Sequence, residues 1–233
     1  MKPRVLLVRH EAGPDDDRIV NHLVMNGIVP DIRRPFAGDL LGEVTDDLLA
    51  TVIYGGRYNA YDTALHPFLN EEYRWIGAAL DAGLPLLGIC QGAQMLAWHQ
   101  GVFAGARERG LHEFGYYEIR PTPEGLDFMP RPLVMTESHF HTFDLPPGAV
   151  RLAESDAYEN QAFRIGDKVY GFQFHAECTI EGFRRWQASK PQVYAEAGVQ
   201  SREEQTRLML EHDAAQSEWF HGFLHRFLGT GTV

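Results

Sequence analysis

The sequence predicts an α/β fold: a mostly parallel central sheet with helices on both faces, an added β-hairpin region and C-terminal helices. Three observations predict it. Apolar strand-length runs alternate with amphipathic helix-length segments over residues 5–97, the pattern of βαβ units. Residues 115–175 are instead cut by Pro and Gly into short runs of strand character. From Thr179 onward helical spacing returns.

Each element follows from local chemistry. "VLLV" (5–8) reads as a buried strand, and "DDDRIVNHLVMNG" (15–27) as a helix with acidic residues at its positive end and Gly27 as its stop. "TVIYGG" (51–56) is a second strand, "HPFLNEEYRWIGAALDAG" (66–83) a helix opened by Pro67 and closed by Gly83, and "PLLGIC" (85–90) a third strand. The runs "GYYEIRPT" (115–122), "RPLVMTESHFHTF" (131–143), "AVRLAES" (149–155) and "QAFRIGDKVYGFQFH" (161–175) read as short strands. The Gly-Asp pair in the last of them marks a hairpin. "TIEGFRRWQAS" and the segment from Ser201 to Leu228 read as helices, the second with Ser201 and Glu204 in a capping-box pattern.

With no long linker and no internal repeat, residues 1–233 are expected to form one domain, with 179–233 as a C-terminal helical extension packed on it. Lys plus Arg number 21 against 32 Asp plus Glu, a net charge of -11. Such a field repels phosphate backbones and anionic lipid, so neither nucleic acid nor a membrane surface is expected as a partner. The apolar run near the start is followed by charges rather than by a small-residue cleavage site, so it does not read as a secretory leader. Two cysteines, Cys90 and Cys178, make no disulfide framework, which points to a reducing cytoplasm.

Cys90 carries the main chemical signal. In "LLGICQGAQMLA" it stands where a predicted strand turns into a helix, at the end of the sheet where ligands bind in such folds. A turn that abrupt needs small neighbours, and Gly88 and Gly92 flank it symmetrically. The arrangement is a nucleophile elbow with cysteine in place of serine. The helix N-terminus favours a thiolate, and the N–H of Gln91 would face an oxyanion. The alternative is a small buried hydrophobe. A cysteine nucleophile needs a base, and "GFQFHAE" (171–177) offers His175 with Glu177 two residues on, where strand alternation would turn both to one side.

"GGRYNAYD" (55–62), "GICQGAQMLA" (88–97) and "GFQFHAE" (171–177), in this order, resemble the class I glutamine amidotransferases of the Cys-His-Glu type. Together with "HTFDLPPGAVRLAESDAYENQAFRIG" (141–166), they resemble the stand-alone subgroup related to the amidotransferase domain of GMP synthetase. The resemblance implies a flavodoxin-like sheet, with Cys90 attacking the side-chain amide carbon of glutamine to give a γ-glutamyl thioester and ammonia. His175 would shuttle protons, Glu177 would orient it, the N–H groups of Gly56 and Gln91 would form the oxyanion hole, and Gln94 would help hold the substrate. No cofactor is implied. Two positions depart from the family pattern: Arg57 stands where Pro usually follows the double glycine, and Ala176 where Pro usually separates the His and Glu. Arg57 is expected at the entrance, in reach of a substrate carboxylate, and His139 near the active-site rim. Glu113, in "HEFG", matches an acidic position of the subgroup and is read as structural.

Rival readings remain open at this point. Arg9 and His10 in "LLVRHEAG" resemble the phosphate-accepting motif of histidine phosphatases, although Glu11 replaces the usual Gly and would repel phosphate. The pairs His139/His141 and His221/His225 are the metal candidates; each lacks the further ligands zinc needs, so no metal is expected. The stripe of Trp219, Phe220, Phe223, Leu224, Phe227 and Leu228 suits docking on the sheet or a homodimer surface. Functionally, the substrate is expected to be glutamine or another γ-glutamyl compound. The ammonia either passes to a separate synthetase subunit, since the chain shows no phosphate-binding glycine loop, or the protein acts alone as a γ-glutamyl peptide hydrolase. A catalytically silent binding protein on the same fold is the alternative of another class.

Overall fold

The computed structural model describes residues 2–107 and 110–230. In chain order these form β1 (Arg4–Val8), α1 (Arg18–Met25), β2 (Val29–Arg33), β3 (Leu48–Ile53), α2 (Phe68–Asp81), β4 (Leu86–Ile89), α3 (Gln91–His99) and β5 (Ala104–Ala106). There follow β6 (Glu113–Pro121), β7 (Leu133–His139), β8 (His141–Phe143), β9 (Val150–Glu154), β10 (Ala162–Ile165), β11 (Val169–Phe172), α4 (Ile180–Ser189) and α5 (Arg202–Leu228). Residues 231–233 of the expected C-terminal extension lie outside the described residues.

Nine strands form one sheet in the order β2-β1-β3-β4-β11-β10-β9-β6-β7, and β5 pairs with β8 beside it. The first five are mutually parallel, and the remainder continue antiparallel. The hairpin expected at Gly166 is the hinge between the two halves, because β11 pairs antiparallel with β10 and parallel with β4.

Alternation within β1 shows why helices cover both faces. Val5 and Leu7 pack with Ile19 and Leu23 of α1 and with Phe220, Phe223 and Leu224 of α5. Leu6 and Val8 point the other way, to Trp75 and Ile76 of α2 and to Ala93 and Leu96 of α3. A third cluster joins Phe114 and Tyr116 of β6 to Phe183 of α4 and Met209 of α5. The aromatic stripe of α5 is thus used within the chain: Trp219 lies edge-on to Phe128 at 5.1 Å, and Phe223 lies 4.9 Å from Phe172. Phe220, Phe223 and Leu224 are buried in this way, whereas Trp219, Phe227 and Leu228 stay partly exposed.

Several local expectations need correction. Residues 29–33 form the edge strand β2, unsignalled because Pro30 and charged residues interrupt its apolar pattern; an edge tolerates a proline that a central strand would not. Only half of the capping box forms: Ser201 accepts from the Glu204 N–H, whereas the Glu204 carboxylate pairs with Arg207. No helix among the described residues is long and apolar enough to cross a membrane.

Candidate active site

Cys90 has φ 50° and ψ -107°, the only non-glycine positive φ among the described residues. Its N–H still donates to Phe172 O at 2.7 Å, so β11 holds the end of β4 while the chain swings into α3. The flanking glycines are dictated by backbone contact. A Cβ on Gly88 would lie 2.5 Å from the carbonyl of Gly92, and one on Gly92 would lie 2.1 Å from Ile53 O. Neither backbone can move aside without breaking the sheet or the helix, so both positions exclude every other side chain.

His175 and Glu177 are brought to Cys90 by a route other than strand alternation. β11 ends at Phe172, and residues 175–178 form a turn closed by Cys178 N–H to His175 O at 3.2 Å. That turn sets Nδ1 of His175 2.7 Å from Oε1 of Glu177. A Cβ on Gly55 would sit 2.7 Å from Cε1 of His175 and 3.2 Å from Cβ of Cys90, so both side chains converge over this glycine. All three are buried, at 6%, 4% and 5% exposure for Cys90, His175 and Glu177. Burial acts to lower the His175 pKa, but the charges of Glu177 and Cys90 and their hydrogen bonds outweigh it and carry it up to about 10. Glu177 Oε2 has no hydrogen-bond partner among the described residues.

The amides of Gly56 and Gln91 find no acceptor among the described residues. The Gln91 side chain ties their two segments together, its Oε1 accepting from Tyr58 N–H at 2.9 Å. Gly56 has no room for a side chain, since a Cβ there would fall 2.4 Å from His10 Cβ. Gln94 is buried on α3 rather than exposed, its Nε2 donating to Gln173 Oε1 at 3.1 Å. Cys90, His175, Glu177 and Gly56 border a cavity of about 830 Å³, which Arg57, Gln94 and His139 also line. Arg57 is exposed and lies over the ring of Tyr58 at 5.5 Å, with no carboxylate within ion-pair distance among the described residues.

His139 borders this cavity, in line with its expected place near the rim, but its ring nitrogens are turned to protein acceptors. It is 4% exposed, with Nδ1 on His141 O at 2.8 Å and Nε2 on Glu113 Oε2 at 2.9 Å. Both ring nitrogens are engaged, because the β6/β7 ladder sets Glu113 directly opposite it. The histidine phosphatase reading fails for a similar reason. His10 is 2% exposed, its Nε2 on Glu72 Oε2 at 2.8 Å and its Nδ1 on Tyr54 O at 3.0 Å, leaving no nitrogen to accept a phosphoryl group.

Sequence reasoning missed three neighbours of Cys90, His175 and Glu177. Trp186 of α4 stands edge-on to the His175 imidazole at 4.8 Å. Lys190 places Nζ 2.7 Å from Ser138 Oγ and 4.9 Å from the Trp186 ring, and burial lowers its pKa. Arg18 donates to the carbonyl oxygens of Ala176 and Cys178. Helical spacing would have flagged Trp186 only as a packing residue, and neither cation stands in a motif.

Residues 41–185 match the family Glutamine amidotransferase class-I. The chain belongs to this family. It is 30% identical over 190 residues to the glutamine amidotransferase-like protein YfeJ of Salmonella typhimurium, covering 76% of this chain and 77% of that one. It is also 35% identical over 96 residues to one subunit of the glutamine-hydrolyzing GMP synthase of Thermococcus kodakarensis, covering 40% of this chain and 51% of that one. A solved glutamine amidotransferase of Thermotoga maritima superposes with a TM-score of 0.85 at 29% identity, covering 98% of this chain and 99% of the other. The kinship with stand-alone amidotransferases and with the amidotransferase part of GMP synthetase rests on these matches.

Proposed function

We propose that the protein cleaves a γ-glutamyl amide through a Cys90 thioester. The sulfur of Cys90 adds to the amide carbon, and the oxygen that gains the electron pair is received by the N–H groups of Gly56 and Gln91. His175 gives its proton to the departing nitrogen, so ammonia or an amine leaves and the thioester remains. His175 then takes a proton from water, whose oxygen attacks the thioester and releases the γ-carboxylate and Cys90. Glu177 holds the imidazole and stabilises its charged form. Gln94 contacts the substrate, and Arg57 receives a carboxylate at the cavity mouth.

The observation that carries this reading is the meeting of a strained Cys90 and the His175–Glu177 pair over two acceptor-less amides. The test is mass spectrometry after incubation with an electrophilic diazoketone analogue of glutamine. A single adduct on Cys90, absent in Cys90→Ser and slowed in His175→Ala, is expected; an adduct elsewhere, or none, overturns the assignment and favours a silent binding protein.

Residues 1–233 act as one unit in this reading, in a reducing cytoplasm that suits two free cysteines. The ammonia passes to a separate synthetase subunit; kinship with part of a GMP synthase supports this. A second reading, a stand-alone γ-glutamyl peptide hydrolase, is favoured by a cavity of about 830 Å³, larger than free glutamine needs. Steady hydrolysis of γ-glutamyl peptides by the isolated chain would select it; release of ammonia only with a partner would select the first.

A further inference from the structure

The histidine pairs weighed for metal do not form a ligand set, but β6 and β7 assemble a different one. Glu113 and His139 are cross-strand partners, and Glu137 precedes His139 by two residues on the same face of β7. Their side chains are 3%, 1% and 0% exposed for Glu113, His139 and Glu137. One ligating atom from each lies within 4.8 Å of the other two.

The hydrogen bonding leaves this cluster short of positive charge. His139 Nδ1 contacts His141 O at 2.8 Å, and a carbonyl only accepts, so Nδ1 carries a proton. In the neutral imidazole Nε2 then presents a lone pair to Glu113 Oε2 at 2.9 Å and to Glu137 Oε2 at 3.4 Å. A proton on Nε2 would serve Glu113 but not Glu137, neither of whose oxygens has a hydrogen-bond donor among the described residues. No Lys or Arg pairs with either glutamate among the described residues.

The outer contacts are those that orient metal ligands. Ser155 Oγ donates to Glu113 Oε1 at 3.0 Å, Gln161 Nε2 donates to Glu113 Oε2 at 2.8 Å, and the second nitrogen of His139 is fixed by a carbonyl. The buried Gln161 Oε1 lacks a donor among the described residues.

We propose that Glu113, Glu137 and His139 bind one divalent first-row cation, zinc or manganese. One imidazole nitrogen and two carboxylate oxygens suit both ions. The site adjoins Thr136, whose carbonyl accepts from His175 N–H at 2.8 Å, so a cation there ties β6 to the strand beneath the proposed triad.

The test is independent of catalysis. The untagged chain is stripped with chelator, dialysed against zinc or manganese chloride, desalted and assayed for metal by mass spectrometry, with Mn(II) spin resonance as a second readout. Wild type is expected to retain one equivalent and to melt higher than the stripped chain. Glu137→Gln, of the same shape, is expected to bind at least ~10-fold more weakly, and Ser155→Ala to bind more weakly with all ligands intact. Other histidines can also take up zinc, so equal retention by wild type and both variants overturns the proposal, as does no retention by wild type. A proton is then the occupant.

Discussion

The amide of Arg18 donates to the carbonyl oxygen of Glu177 at 3.0 Å, and its guanidinium reaches the carbonyls of Ala176 and Cys178 on either side. Three successive carbonyls of the turn that carries His175 and Glu177 are therefore held from α1, while Asp213 of α5 fixes the guanidinium from behind. Arg18 is a positioning residue for the proposed triad. Arg18→Gln is expected to cost about 3 kcal/mol, because it leaves buried acceptors and Asp213 unpaired. It should also slow labelling of Cys90 by the glutamine analogue in protein that is still folded, with Arg18→Lys partly restoring the rate. Denaturant melts read the first effect and labelling kinetics at low temperature the second; unchanged labelling would limit Arg18 to a structural role.

Gly92→Ala should be among the most damaging single-methyl additions in the chain. The new Cβ would meet Ile53 O at 2.1 Å, which the β3 ladder holds in place. A loss of about 3 kcal/mol is expected by denaturant unfolding. Gly27→Ala is the control: unlike the helical Gly92, Gly27 has a positive φ of 70°, but nothing lies within 4 Å of its Cβ position, so its cost of about 1 kcal/mol is conformational only.

His175 links stability to alkaline pH. Its folded pKa, up to about 10, stands above the ordinary 6.5, so between these values the native state holds a proton that the unfolded chain has released. Its contribution is full below about 6.5, declines as pH rises and is gone above about 10. Wild type should lose stability faster than His175→Gln from pH 7 to 10, by at most about 1.4 kcal/mol per unit, measured by urea melts. Parallel slopes would mean that the native imidazole is neutral.

His22 links stability to acid pH in the opposite sense. Its Nδ1 lies 3.1 Å from His221 Nδ1, its ring 4.5 Å from that of His225, and its buried Nε2 has no partner among the described residues. Burial, then the charges of His225 and His221, lower its pKa to about 4. As pH falls from about 6.5 to about 4 the unfolded chain takes up a proton that the native state refuses, so stability declines across that window. Thermal melts of wild type should fall more steeply there than those of His22→Gln. Hydrogen exchange should show α5 loosening first, because the cluster lies between α1 and α5.

The alternation of strand and helix, the hairpin at Gly166 and the elbow at Cys90 were legible in the sequence because each depends on neighbours in the chain. Period-two and period-3.6 hydrophobicity, a turn pair, and glycines around a junction are local requirements. Even the glycines on either side of Cys90 could be read this way, although the atoms that demand them, Ile53 O among them, come from another strand.

What only the tertiary structure decided is which polar groups meet. His139 and Glu113 face each other because β6 and β7 pair in one register, and a shift of one residue would turn His139 to the opposite face. His175 reaches Glu177 through a turn that Arg18 holds from far away in the chain, and His10 is taken out of use by Glu72 on α2. Hydrogen bonds act over a few ångströms, and which side chains come that close is set by strand order and helix packing, to which sequence spacing gives no key.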